Sequence, residues 1–449
     1  MDSKVPNHKT LRVYVVILYV FAMLVTSDDS SLRIFSMTPY NLVAFGMFGL
    51  SIVSTLYAGK LRLNLSSELK YLYILLFWII ISLVASKVIA SKAVLSEVYS
   101  YDWVSGVNSP NLRGFSFVLR YILSLCVIQF IISSVDCRAK YLIIMKCFFY
   151  AFGVFAIFPV LQIILLLVGN ISVGKVFYEG ATNRARIGSY VGEPSVLAGM
   201  LCCGIFPLIS ALKIPNSIVH VKKLMLKVFL GLALIGLFFT SSASVISAMI
   251  LAFILFVRKF IGIKIWIFFL TSFLALAVTS SSFQNAILFK IAYELSTVNI
   301  RSLSWIVGFN SLLANPITGV GIGQAPFYVA PYLPSLSDIP FDIKTDFNFI
   351  EGRFTPMNTY LEFATETGVI GLVILSFFVK GVFKYQKNKN NTNDLCYIQF
   401  AFGSGLLAIC IAMNSFPGGF YLGYLNFMVG MYLAGLKIYS VPVDARRVA

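Results

Sequence analysis

Charge is what this sequence has least of. Lys, Arg, Asp and Glu together make up 12% of 449 residues, while hydrophobic types make up 59%. A soluble domain carries about a quarter charged residues, so an ordinary water-soluble globule is excluded. Histidine is nearly missing too: His8 and His220 are the two in the chain. Both are expected on the inner side of a membrane, which excludes a histidine base or ligand on the outer side. The seven cysteines fall in apolar segments or at their expected inner edges, with no zinc spacing and no outer disulfide framework. The adjacent pair Cys202 and Cys203 reads as packing. There is no Asp-X-Asp pair to hold a divalent cation, so no metal and no cofactor are expected. Ten-residue alternating segments, the mark of a membrane barrel, are also missing, and no internal repeat stands out. After the opening "MDSKVPNHKTLR" no small-residue cleavage site follows, and the first apolar segment is expected to remain as a permanent span.

What is present is a series of apolar runs of about twenty residues, each long enough to cross a bilayer as a helix. The expected fold is an all-α polytopic membrane protein, a single integral membrane domain over 1–449. Twelve spans are predicted, at 11–27, 37–58, 70–90, 114–134, 141–169, 194–213, 223–240, 243–257, 260–279, 358–384, 395–414 and 418–438. Pro159 in the long fifth span predicts a kink or tilt there. Lysine and arginine collect in alternate short loops, among them Lys60 with Arg62, Arg138 with Lys140, Lys222 with Lys223, and Lys387 with Lys389. By the positive-inside rule these loops and both termini face the cytoplasm. The formal excess of +17 is then a matter of topology and not a nucleic-acid footprint. The outer side is left with loops at 91–113 and 170–193 and one very large loop at 280–357.

Polar chemistry gathers in those outer segments. Arg184 and Arg186, two residues apart, either clamp an anionic group through their guanidinium forks or snorkel to lipid headgroups. Glu193 precedes Pro194 at a helix start, where an acid either caps the helix or serves as a base. The stretch 281–316 has helical periodicity and is expected to lie on the outer membrane surface, with Arg301 near headgroup level beside Trp305. "NPITGVGIGQ" follows, with Gly319, Gly321 and Gly323 at alternate positions. It lacks the strand–turn–helix setting of a nucleotide-binding loop. Glycines so spaced let backbone bend tightly and approach a neighbour, or else contact an extended ligand. The tenth span opens with "EGRFTPMNTYLEFATETGVIGL". Arg353 lies just outside it, Asn358 is placed to cap the helix, and Glu362 and Glu366 follow on the same face, which cannot point comfortably at lipid. Arg120 stands inside the fourth span, seven residues beyond Arg113, and a pairing between it and one of these carboxylates is conceivable.

In their order and spacing these segments resemble the O-antigen polymerase and ligase superfamily of bacterial envelope glycan enzymes. The likeness runs over roughly 180–375. It rests on the arginine-bearing loop ending in Gly-Glu-Pro-Ser, then Arg301 with Trp305, "NPITGVGIGQ", and "MNTYLEFATETGVIGL". The resemblance implies polyprenyl-pyrophosphate-linked oligosaccharides (undecaprenyl in bacteria) as substrates, at the outer face of the cytoplasmic membrane. It also implies a chain-length regulator and a flippase as partners, and a glycine-rich bend shaping the outer loop over a glycan cavity. Ligases of this superfamily resemble one another in a histidine just before the asparagine of the last motif. Here that position is Met357, which favours the polymerase branch. Residue by residue, the match carries over to Arg301 and Asn358, and more loosely to Arg184, Arg186 and Glu193.

Chemistry then assigns expected roles. A lipid pyrophosphate is a good leaving group and needs charge neutralisation, for which Arg184, Arg186 and Arg301 are the candidates. The acceptor hydroxyl needs a base, with Glu193 the first choice and Glu366 the second. Single displacement inverts the anomeric centre. Arg353, Asn358 and the three glycines are expected to shape the loop or the glycan path, which Tyr190, Phe327, Tyr328 and Tyr332 could line. An O-antigen ligase, a polyprenyl-linked oligosaccharide flippase or other transporter, and a non-catalytic scaffold are the alternatives.

Overall fold

Each apolar run becomes a helix for the same reason: in hydrocarbon every backbone polar group must find a partner within its own segment. A computed structural model describes residues 8–25, 39–58, 69–90, 110–169, 175–179, 184–189, 194–215, 220–240, 303–328, 358–387, 394–413 and 423–440, with scattered positions between 242 and 252. The first seven helices are α1 (His8–Val25), α2 (Pro39–Ala58), α3 (Leu69–Ala90), α4 (Pro110–Ser134), α5 (Arg138–Gly169), α6 (Pro194–Lys213) and α7 (Lys223–Phe239). They are followed by α8 (Leu303–Ala314) and by α9 (Ala325–Tyr328), α10 (Thr359–Lys387), α11 (Asp394–Ala412) and α12 (Gly423–Ser440). Three of these helices, α2, α4 and α6, begin on a proline, whose missing N–H costs nothing in the first turn.

Ten of the helices coincide with ten of the predicted spans. The predictions at 243–257 and 260–279 lie almost wholly outside the described residues, as do most of the loop at 280–357 and all of 91–109. Among the described residues five helices, α3, α4, α5, α6 and α10, are long and apolar enough to cross a membrane. The molecule is accordingly a multi-pass membrane protein, and its outward faces agree. Leu56, Phe77, Val84, Leu167, Val168 and Phe238 are large, apolar and exposed, a surface that suits lipid and not water.

The core is assembled around α6, which packs on α7 and α11, while α12 packs on α4 and α10 on α3. Phe148 and Phe152 of α5, Phe402 of α11 and Phe427 of α12 are fully buried. Their rings meet at centroid distances of 5.2 Å (Phe148–Phe427), 5.8 Å (Phe148–Phe152) and 6.0 Å (Phe148–Phe402), the range of favourable aromatic pairs. Pro159 does not end α5, which remains one helix over 32 residues.

Two features depart from the sequence reading. The segment at 170–193 is not loop alone: β1 (Lys175–Glu179) and β2 (Arg184–Ser189) pair antiparallel, with Tyr178 opposite Ala185 and Glu179 opposite Arg184. Val176, Phe177 and Tyr178 give β1 the β-branched and aromatic residues that favour a strand, and β2 rests against α5, α6 and α7. The second departure is in α10. It is interrupted at Gly368, whose backbone is non-helical (φ 71, ψ −178), where the sequence reading expected a continuous span.

Candidate functional site

A helix broken inside a membrane protein exposes carbonyls on one side of the break and amides on the other. In α10 those groups are answered by other parts of the chain. The carbonyl of Thr365 accepts from the Val320 N–H at 2.9 Å, and that of Glu366 from the Gly321 N–H at 2.9 Å. Trp78 Nε1 of α3 donates to the Thr367 carbonyl at 2.7 Å. Ser82, a turn further along α3, has one proton to give, and its Oγ lies 2.6 Å from the Thr318 carbonyl and 2.8 Å from that of Glu366. Beyond the break, the Val369 N–H donates to the Pro316 carbonyl at 2.8 Å. Thr365 Oγ1 reaches the Gly308 carbonyl of α8 at 3.1 Å and the Leu361 carbonyl of its own helix at 2.8 Å.

The run 315–324 is therefore threaded against the break in α10, backbone on backbone, and this crossing explains its glycines. A Cβ on Gly319 would collide with the main chain of Thr365 and Glu366, and one on Gly368 with the carbonyl of Ile317. Both residues also have positive φ, as do Gly321 and Gly323, a conformation L side chains rarely adopt. Val320, Gly321 and Ile322 are buried. Gly114 lets α4 approach in turn, since a Cβ there would stand 3.1 Å from the Ile322 carbonyl. The motif packs in the bundle between α3, α4 and α10.

The acids of α10 are buried, as their shared face required: Glu362 is 7% exposed and Glu366 3%. The Glu366 carboxylate accepts from the backbone N–H of Gly323 and of Ala325, the latter at 3.4 Å, and Arg113 of α4 is the cation that acts on it. No ion pair joins Arg120 to either acid among the described residues. As a base, Glu366 would have to exchange these bonds for a substrate hydroxyl. Asn358 does what its position suggested. Its Oδ1 accepts from the N–H of Tyr360 at 3.0 Å and of Leu361 at 3.1 Å, which makes it the N-cap of α10. Trp305 is 46% exposed on α8, alongside exposed Ile306, Phe309 and Leu313. Phe327 and Tyr328 are buried in α9.

Arg184 and Arg186 sit two apart in β2, opposite Glu179 and Phe177 in the ladder. Glu193, Arg301 and Arg353, with Tyr190 and Tyr332, lie outside the described residues. Among the described residues no cluster of His, Cys, Asp or Glu could hold a metal ion. Sequence reasoning missed Trp78, Ser82 and Gly368. Gly368 carried a signal, since Thr-Glu-Thr-Gly is a polar interruption in an apolar run. Nothing local ties Trp78 or Ser82 to a loop more than two hundred residues away.

One comparison bears on this geometry. A family model described as O-antigen ligase matches residues 228–376, about a third of the chain. Among curated proteins, none matches closely enough to count as a relative. The matched segment contains α8, the glycine run, Asn358, both acids of α10 and the break at Gly368. The likeness therefore falls on the crossing itself, and it supports the O-antigen polymerase and ligase superfamily and a role in polysaccharide assembly without separating the two branches.

Proposed function

We propose that this protein is a glycosyltransferase that polymerises lipid-linked oligosaccharide repeat units into a surface polysaccharide at the outer face of the bacterial cytoplasmic membrane. The observation that carries the reading is the coincidence of the family-like segment, 228–376, with the buried crossing of the glycine run and α10. Met357, standing where the resemblance gives ligases a histidine, supports the polymerase branch.

In the reaction, an acceptor sugar hydroxyl of one lipid-linked unit attacks the anomeric carbon of the growing chain on its own carrier. The new C–O bond forms as the bond to the diphosphate breaks, and the electron pair leaves with the polyprenyl diphosphate. Arg184, Arg186 and Arg301 balance the charge that gathers on that leaving group. The hydroxyl proton passes to Glu193, at the approach to α6. A single displacement inverts the anomeric centre and requires no metal. Glu366, with Asn358 and Gly319, Gly321 and Gly323, fixes the frame that carries the large outer loop. Arg353, five residues before the Asn358 cap, takes part in the glycan path. A chain-length regulator and a flippase are the proposed partners.

The family description favours a second reading, an O-antigen ligase that moves finished polymer onto lipid A-core. A gel ladder of surface polysaccharide from a strain deleted for this gene separates them. Loss of the ladder with a single-repeat band retained supports the polymerase. Loss of both, with lipid-linked polymer accumulating, supports the ligase. An unchanged ladder removes both.

A further inference from the structure

Arg120 is a charge to which the proposed reaction gives no task. It stands within the apolar stretch Leu112–Ser134 of α4, about 12 Å along the axis from its start. A guanidinium at that depth is costly, and charges placed so are usually functional. Among the described residues its contact is a ring: its guanidinium carbon lies 5.3 Å from the centroid of Phe117. Arg113, two turns nearer the Pro110 end, lies 5.3 Å from the same ring and 6.0 Å from that of Phe327. Helical side chains lean toward the helix N-terminus, so Arg120 climbs toward Arg113 over the ring between them. The two guanidiniums share one phenyl group and are at most twice 5.3 Å apart. Both arginines are partly exposed.

Two cations against one ring repel each other. Neither α4 nor α3 contains an acidic residue. The acids that face this place come from α10, where Glu366 responds to Arg113 and is flanked by Glu362. Among the described residues no carboxylate forms an ion pair with Arg120.

We infer that Arg113, Phe117 and Arg120 form a cradle for the phosphate-bearing headgroup of a membrane lipid. On the function proposed above, on which this identification rests, that lipid is the polyprenyl diphosphate carrying the glycan. Guanidinium forks bind phosphate oxygens two at a time. The ring holds the two forks by cation–π contact, and an anion that reaches both offsets their repulsion. The cradle is separate from Arg184, Arg186 and Arg301, and it gives the second lipid-linked unit of the reaction a phosphate site of its own.

The test uses the full-length protein in phosphatidylcholine nanodiscs. Binding of farnesyl diphosphate, of phosphatidylglycerol and of inorganic pyrophosphate is measured separately for wild type, Arg120→Gln and Arg120→Lys. Farnesyl diphosphate is expected to bind wild type, at least tenfold more weakly to Arg120→Gln and at least threefold more weakly to Arg120→Lys, which keeps the charge and loses the fork. Should Arg120→Gln fail to fold, Arg120→Lys carries the test alone. Unchanged affinity in the folded variants overturns the cradle, as does a wild type that binds none of the three ligands. Inorganic pyrophosphate binding as tightly as farnesyl diphosphate overturns its lipid character. Arg120-dependent binding of phosphatidylglycerol without farnesyl diphosphate keeps the cradle and refutes the transferase reading.

Discussion

The aromatic core and the crossing at α10 are both buried, and they are built on opposite principles. Around Phe148 the helices are held by side chains: rings at 5.2 to 6.0 Å fill the space between α5, α11 and α12. Glycine in that region makes room for a ring, as Gly204 does for Phe152, and its backbone is helical. At the crossing two glycines make room for backbone, while Gly321 and Gly323 face the side chains of Ser86 and Phe117. Gly319 and Gly368 face main-chain carbonyls, and hydrogen bonds from Val320, Gly321, Trp78 and Ser82 replace those the broken helix lost. A ring can rotate to admit a methyl group, whereas a carbonyl fixed by two hydrogen bonds cannot. The core should therefore tolerate substitutions that the crossing does not.

The largest contrast is between Gly368→Ala and Gly204→Ala. The first adds strain in a region of φ and ψ reserved for glycine and a collision with backbone, about 3–5 kcal/mol together. The second is a ring displacement partly offset by better helix propensity, about 1–2 kcal/mol. Thermal unfolding in detergent reads both, and equal losses would break the comparison. Next comes Ser82→Ala, which removes the one hydroxyl proton shared by the Thr318 and Glu366 carbonyls and is expected to cost about 1–2 kcal/mol. Asn358→Ala removes the N-cap of α10 at about 1 kcal/mol, while Asn358→Asp keeps most of it. If Asn358→Ala abolishes polymer at unchanged stability, the residue does more than cap.

The smallest effect lies outside the membrane, at Asp136. Burial raises its pKa, but the hydrogen bond and charge of Lys140, 2.7 Å away, outweigh that and leave it lowered. A lowered folded-state pKa means that the stabilisation is present above the unfolded value, about 3.9, and is lost as pH falls through the folded value. The pair is exposed, so Asp136→Asn should cost about 0.5 kcal/mol or less at neutral pH and nothing in strong acid. A melting series over pH checks the sign.

Much of the helical frame was legible because apolar runs and prolines are local signals: Pro194 begins α6 and Asn358 caps α10 where the sequence placed them. The burial of Glu362 and Glu366 was legible for the same reason, since i and i+4 positions share a face. The break at Gly368 was not, because glycine is common in membrane helices and the groups that satisfy the exposed carbonyls come from α3 and from residues 320 and 321. The hairpin at 175–189 was hidden by its short strands. The glycine run was legible as a place of close backbone approach, but what it approaches is a tertiary fact. The proposed roles of Glu193 and Arg301 rest on sequence and chemistry.

The most direct test of that crossing is hydrogen exchange on the peptide covering residues 315–324. If the run is threaded against α10, the amides of Val320 and Gly321, bonded to Thr365 and Glu366 at 2.9 Å, should exchange as slowly as those of the core helices, and Ser82→Ala should speed them. Exchange within seconds, as in an exposed loop, would contradict the account.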